Sequence, residues 1–300
     1  MKGLLLAVGY SASWGVGVTL SKLGLRFFEP VDLLMLELSA SVAFLVVALL
    51  AGQGPGGLRQ VSLKHGIAGI LEPGLAYLFG TLGLALTTAV SASLIGTSEV
   101  VVTIVAAVIV LRERVSPLRL TLAIVGTLGV VLIASSDGLA LGTGGGLGDL
   151  LVFISVLCAV GYTMVSAPMV HKVGPLALVT SQQILGLLIL VPIWIVFSGG
   201  TPFAALGQVR AAGPWLIAVV SGLSQYALSY YLYLLALRSM DVNRATLFLI
   251  LIPVFAAISA VIILGEKIGP LQAVGGVVVL ATAYFASREP NKRSAAAADR

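Results

Sequence analysis

The feature that most constrains this chain is a seven-residue segment that occurs twice. Leu111–Pro117 and, 153 positions later, Leu264–Pro270 both read leucine, any residue, glutamate, a basic residue, two further residues and proline. Each copy ends one long apolar run and precedes another. The residues before the two copies also agree at this offset, as in the pair Tyr77 and Tyr230. The chain is therefore one unit present twice, with a period of about half its length.

Composition places this duplicated unit in a lipid bilayer. Of the 300 residues, 59% are hydrophobic and 10% are charged, and the mean hydropathy is +1.10. Soluble domains are about one quarter charged, so this composition cannot build a water-facing surface. Cys158 is the single cysteine, which excludes an internal disulfide. The net charge of +5 comes from basic residues at the ends of apolar runs, and we expect no nucleic-acid partner.

Ten apolar runs are long enough to cross a bilayer, since a span needs about 20 apolar residues. The first run is too long for a signal-peptide core, and we expect it to be retained. We expect a first five-helix repeat over residues 1–137, a second over 147–287 and a disordered cytoplasmic tail over 288–300. The predicted spans are 3–25, 30–52, 65–86, 89–111, 117–136, 148–170, 175–198, 212–237, 244–264 and 270–287.

The basic residues predict which way these spans point. With ten spans, 13 of the 17 Lys and Arg residues fall on one side of the membrane and four on the other. Because basic residues are enriched in the cytoplasm, both termini are predicted to be cytoplasmic. Five spans per copy is an odd number, so the second copy enters the membrane from the opposite side. The predicted fold is an all-α integral membrane protein of two inverted five-helix repeats, an architecture typical of transporters.

Several short segments resemble one transporter family. Trp14-Gly15 followed by Ser21-Lys22, the two junctions and the stretch Asp241–Pro253 resemble the EamA-type branch of the drug/metabolite transporter superfamily. Within that branch the chain most resembles the YddG aromatic amino acid exporter group. Two features depart from the family pattern. Its frequent arginines in the second and seventh spans are replaced here by Glu37 and Gln182, and its fourth-span proline is replaced by Val100.

The candidate site residues are polar and aromatic side chains near the middle of their spans. Glu99 is costly at the bilayer centre, so we expect it to face a cavity, where it binds a substrate ammonium or couples proton movement. A neutral carboxyl hydrogen-bonded to a neighbouring helix is the structural alternative. Pro253 is a candidate for gating, or for a static kink. Glu72 does not lie at midspan, so we expect a structural role for it, and we expect Pro73 beside it to kink the third span. Six further residues are candidates for substrate binding, with helix packing as the alternative: Trp14, Tyr77, Tyr162, Gln225, Tyr226 and Tyr230.

The predicted function is secondary export of small metabolites. No phosphate-binding loop for ATP is present, and neither His65 nor His171 has a neighbour at metal-ligand spacing, so we expect no cofactor, no metal and no enzymatic activity. The resemblance implies amino acid export, including aromatic ones, from a bacterial inner membrane by alternating access. A multidrug or organic-cation exporter of the same fold is the alternative. The partners are the amino acid substrate and the bilayer, and a monomer is one candidate for the oligomeric state.

Overall fold

The computed structural model describes residues 2–87, 89–134, 146–197 and 209–288, and within these ranges every regular element is helical. Most of the predicted tail and the connection before the second repeat lie outside the described residues. In chain order the helical segments are α1 (Lys2–Gly24), α2 (Pro30–Gln53), α3 (63–86), α4 (Ala89–Val110), α5 (Pro117–Ala134), α6 (Gly146–Met169), α7 (Pro175–Phe197), α8 (212–239), α9 (Val242–Leu264) and α10 (Pro270–Arg288).

Seven of these segments are long and apolar enough to cross a membrane: α1, α2, α5, α6, α7, α9 and α10. Large apolar side chains are exposed along their outer faces and along that of α4. Ile109 is 71% exposed and Ile262 is 77% exposed, as expected for surfaces that contact lipid. The structure therefore agrees with an all-helical integral membrane protein. The predicted number of ten spans stays a prediction, because α3, α4 and α8 do not meet the same length and composition criteria over the described residues.

The two halves of the chain carry the same local irregularities at the same offset. A π-helical turn occupies Ile70–Leu75 in α3, and another occupies Leu223–Leu228 in α8, 153 positions later. In α3 the backbone leaves helical geometry at Glu72, immediately before Pro73, which is the break expected from the sequence. A π-helical turn opens the regular hydrogen-bond ladder and is frequently found at functional sites.

Packing between the halves follows the same correspondence. Helix α1 packs on α8 and α9, and the equivalent helix of the second half, α6, packs on α3 and α4. Helix α2 packs on its counterpart α7, and α5 packs on its counterpart α10. Gly69 lets α3 approach the backbone of Gln182 in α7, while Gly222 lets α8 approach the backbone of Glu37 in α2. Each half thus interdigitates with the other, and the interior space lies where α1 and α6 meet α3, α4 and α9.

Candidate substrate cavity

A cavity of about 580 Å³ lies between α1, α4, α5 and α9. It reaches the protein surface at the C-terminal end of α1, where Lys22 Nζ lies 2.8 Å from Glu266 Oε1. These two side chains are 63% and 45% exposed, so this ion pair stands at the mouth of the cavity. The volume falls in the range of small-molecule sites, which run from about 300 to 1,000 Å³.

A second cavity of about 320 Å³ lies between α1, α3, α4 and α6. Its walls include Trp14, Glu72, Tyr77 and Glu99. Trp14, Glu99 and Gly96 line both cavities, so the two spaces adjoin at this point. A Cβ atom built on Gly96 would meet no atom within 4 Å, which leaves the junction between the cavities open. The predicted site residues Trp14, Tyr77 and Glu99 are therefore brought together.

Over the described residues, the smaller cavity is lined by two carboxyl groups and by no basic side chain. Glu72 and Glu99 both line it, and its described lining contains no lysine, arginine or histidine. Glu72 is 8% exposed, so its carboxyl group is close to fully buried. A buried carboxyl group favours a partner that carries positive charge or donates hydrogen bonds. This arrangement can therefore bind a ligand ammonium group while the indole of Trp14 and the phenol ring of Tyr77 contact an apolar or aromatic ligand body.

A cluster of aromatic rings lies behind the smaller cavity. The ring centroids of Tyr77 and Tyr226 are 5.1 Å apart, and those of Trp14 and Tyr230 are 4.9 Å apart. Tyr162 packs edge-on against Tyr230 at 5.6 Å. Tyr162, Tyr226 and Tyr230 are almost fully buried and do not line either cavity. The Tyr230 hydroxyl lies beside the side chains of Glu72 and Tyr77, so it reaches the edge of the smaller cavity.

Gln225 belongs to a polar network that joins α1, α2 and α8 and contacts the Tyr226 hydroxyl of the aromatic cluster. Ser21 Oγ lies 2.5 Å from Glu37 Oε1 and 2.9 Å from Gln225 Oε1. The Ser221 hydroxyl donates to the same Glu37 oxygen at 2.6 Å. At the equivalent place in the other half, Gln182 donates to Ser166 and accepts from the Tyr162 hydroxyl. These side chains satisfy one another between helices, and the structure does not bring Gln225 to either cavity wall.

The end of the molecule opposite Lys22 is packed shut. The N-terminal half of α9 is buried from Val242 to Leu251 apart from partly exposed Arg244 and Leu249. Helix α1 is bonded to this half of α9, because the Tyr10 hydroxyl donates to the Ala245 carbonyl and the Ser11 hydroxyl donates to the Phe248 carbonyl at 2.9 Å. The interior space is therefore connected to the surface at the Lys22 end and sealed by α1 and α9 at the other.

Pro253 lies in the stretch of α9 that lines the larger cavity. The preceding residues Phe248–Leu251 form a 3-10 turn, and the lining runs from Leu249 through Pro253 to Ala260. Val100 occupies the equivalent position in α4 and lines the same cavity from the other side. The sequence difference between Glu99-Val100 and Ile252-Pro253 therefore faces one shared space.

Glu72 was not among the candidate site residues, and we expected a structural role for it because it does not lie at midspan. The structure places it on the smaller cavity with Glu99. The repeat contains a signal for this position, because Glu72 stands 153 positions before the candidate Gln225.

Comparison with known proteins agrees with this geometry. The profile of the EamA-like transporter family matches residues 1–135 and 146–288. Two uncharacterized transporters of Archaeoglobus fulgidus are 25% and 26% identical over 280 and 284 residues, covering 92% and 93% of this chain and 95% of each relative. The uncharacterized transporter YyaM of Bacillus subtilis is 20% identical, covering 94% of this chain and 92% of YyaM.

A solved crystal structure has the same fold. It superposes with a TM-score of 0.80 at 16% identity and covers 97% of this chain and 98% of its own. The match extends over both halves of the protein, with the helices that carry Glu72, Glu99 and Pro253. The chain belongs to the EamA-like transporter family, whose members are multi-pass membrane transporters and not enzymes.

Proposed function

We propose that this protein is a secondary transporter of a bacterial inner membrane that exports amino acids, including aromatic ones, by alternating access. The observation that carries the proposal is the shared cavity of Glu72, Glu99, Trp14 and Tyr77 at the centre of a family-typical transporter fold. Two carboxyl groups suit the ammonium group of an amino acid, and the aromatic rings suit its side chain.

Alternating access is proposed for two five-helix repeats inserted in opposite directions. The π-helical turns at one offset, the exchange of packing partners between the halves and the two separate family matches support the duplication. The distribution of 13 against four basic residues supports cytoplasmic termini. On this topology the mouth at Lys22 and Glu266 faces the outside, and the packed end of α9 faces the cytoplasm.

Within this site we assign Glu99 to both substrate binding and proton coupling, because it is the carboxyl group shared by the two cavities. We assign Pro253 to gating, since it follows the 3-10 turn of α9 and lines the larger cavity. Tyr162, Tyr226 and Tyr230 form the aromatic wall behind the cavity, and we assign the Tyr230 hydroxyl, which lies beside Glu72, to substrate binding. Gln225 supports the adjoining π-helical turn through its bond to Ser21.

An organic-cation exporter is the second candidate, and one observation favours it. The described lining of the smaller cavity offers two carboxyl groups and no basic side chain, so it provides no ionic partner for the carboxylate of an amino acid. A cationic amine without a carboxylate would bind there without the cost of burying an unpaired carboxylate. The two candidates differ only in whether the ligand keeps its carboxylate.

The experiment that separates them is efflux from proteoliposomes loaded with labelled phenylalanine, threonine or phenethylamine, with a nucleotide sugar as a negative substrate. Phenethylamine is phenylalanine without its carboxylate, so the pair isolates that single group. Amino acid export requires phenylalanine efflux above that of protein-free liposomes, and its absence overturns the proposal. Efflux of phenethylamine alone would establish the organic-cation reading instead.

Glutamine variants assign the carboxyl groups in the same assay. Glu99→Gln and Glu72→Gln are each expected to lower amine efflux at least about tenfold, since a charge-assisted hydrogen bond contributes roughly 1.5–3 kcal/mol. Glu29→Gln is the matched control, because Glu29 is exposed at the start of α2 and its side chain caps nothing. A pH gradient is expected to stimulate efflux by the unmodified protein and not by Glu99→Gln; equal stimulation of both would remove the coupling role.

A further inference from the structure

The two repeated junctions fold as structural copies of each other. Arg112 and Gly265, 153 positions apart, both adopt left-handed backbone angles, with φ of 54° and 69°. The next residue is a glutamate in each copy. The Glu113 N–H donates to the Ala107 carbonyl at 3.1 Å, and the Glu266 N–H donates to the Ala260 carbonyl at 3.3 Å. Each loop therefore presents its glutamate in the same way.

The carboxylates of these two glutamates have different partners. Glu113 binds the N-terminus of α9, because its two oxygens accept from the N–H groups of Val242 and Asn243 at 2.9 and 3.1 Å. This carboxylate caps two backbone donors that no helical bond satisfies, and it holds α9 against the end of α4. Glu266 instead pairs with Lys22 at the cavity mouth, at 2.8 Å.

In this conformation Glu266 does not cap the N-terminus of a helix as Glu113 does, and the repeat shows which helix it would cap. The residues equivalent to Val242 and Asn243 are Ala89 and Val90, which begin α4. The two ends of the interior space differ in exposure in the same way. Ala260 lines the open cavity, whereas its counterpart Ala107 is fully buried at the packed end. The end at which the glutamate caps a helix is closed, and the end at which the glutamate pairs with Lys22 is open.

We infer that Glu113 and Glu266 are two alternating latches of the transport cycle. Glu113 caps α9 and keeps the Val242 end closed while the Lys22 end is open. When the Lys22 end closes, Glu266 leaves Lys22 and caps α4 at the N–H groups of Ala89 and Val90, and Glu113 releases α9. Lys22 competes for Glu266 and so favours the conformation seen here. This inference rests on the proposed alternating access and adds the groups that carry it.

The test uses thiol labelling, so it needs no knowledge of the substrate. Cys158, which is half-buried, is first replaced by alanine. Ala107→Cys reports opening at the Val242 end, and Ala260→Cys reports opening at the Lys22 end. A charged, membrane-impermeant methanethiosulfonate is applied to vesicles of each orientation, and the rate of modification is measured.

The latch inference predicts opposite responses to the same chemical change. Glu113→Gln removes the charge that closes the Val242 end, so the modification rate of Ala107→Cys is expected to rise about tenfold, the ratio that corresponds to about 1.4 kcal/mol. Glu266→Gln removes the other latch, so the same rate is expected to fall by a similar factor. Lys22→Met frees Glu266 and is expected to raise the rate. Glu29→Gln, an exposed glutamate that caps nothing, is expected to leave it unchanged.

The outcomes separate the latch from the proposed substrate. If Glu113→Gln and Glu266→Gln change the Ala107→Cys rate in the same direction, or leave it unchanged, the latch assignment is overturned. Continued reactivity of Ala260→Cys in each variant demonstrates that the protein is folded. Amino acid efflux measured in the same vesicles decides the proposed function independently, because the labelling rates contain no substrate.

Discussion

Gly69 lies at a contact between α3 and α7 that leaves no room for a side chain. Its backbone is helical, with φ of −64° and ψ of −20°, so alanine is conformationally acceptable there. An added Cβ would nevertheless lie 2.8 Å from Gln182 Cα and would overlap the Gln182 carbonyl oxygen. Helices α3 and α7 would have to separate by roughly 1 Å, which disturbs the packing of both along their contact.

Gly69→Ala is therefore expected to destabilise the protein by about 3 kcal/mol, at the upper end of overpacking costs. At roughly 2–4 °C per kcal/mol this corresponds to a fall in Tm on the order of 6–12 °C. The measurement is thermal unfolding of detergent-purified protein, followed by intrinsic fluorescence. Gly222→Ala is expected to give a similar fall, because its Cβ would lie 2.7 Å from Glu37 Cα in the equivalent contact.

Gly276→Ala provides the matched control. It lies within α10, and a Cβ there would meet nothing within 4 Å, so alanine brings only its better helix propensity, roughly 0.5–1 kcal/mol. Its Tm is expected to stay the same or to rise slightly. If Gly69→Ala and Gly276→Ala unfold within about 2 °C of each other, the close approach of α3 and α7 is wrong, and with it the packing that positions Glu72.

Four further variants probe the site. Gly96→Val fills the junction of the two cavities, where a Cβ meets nothing, so transport is expected to fall at least about tenfold with Tm unchanged; normal transport would contradict a continuous space. Tyr230→Phe removes the buried hydroxyl beside Glu72 and keeps the ring packing, so KM is expected to rise several-fold with Tm nearly unchanged; an unchanged KM would contradict a substrate contact. Pro253→Ala is expected to lower the maximal transport rate several-fold and leave KM nearly constant, measured as initial efflux; an equal change in both would point to binding. Ser221→Ala removes the 2.6 Å bond to Glu37 and is expected to cost about 1–3 kcal/mol, seen as a lower Tm, whereas no change in Tm would mean that the network contributes little to stability.

The sequence was most informative where the signal is local and periodic. Apolar runs of about 20 residues predict membrane helices because the bilayer leaves no other way to satisfy the backbone. The seven-residue junctions predicted a duplication, and both fold into the same loop with left-handed Arg112 and Gly265. Pro73 predicted the break in α3, since proline removes a helical donor. Trp14, Tyr77 and Glu99, selected by counting to midspan, do line adjoining cavities.

What the sequence could not supply depends on which helix faces which. Gln225 looked like a substrate ligand and lies in an interhelical network, whereas its repeat counterpart Glu72 looked structural and lies on the cavity with Glu99. Depth along a span is readable from the sequence, but rotation about the helix axis in a nearly uniformly apolar segment is not, because every face is hydrophobic. Only packing against neighbouring helices sets that rotation.

The duplicated sequence by itself determined a membrane chain of two similar halves, each ending a helix with a glutamate held in the same loop. Because the two halves are similar in sequence, the sequence does not show at which end the cavity opens. The tertiary structure decided this, because the N-terminus of α9 lies within reach of Glu113, and Glu266 is held instead by Lys22. The two junctions have the same backbone geometry, so only their contacts with distant helices distinguish the open end from the packed end.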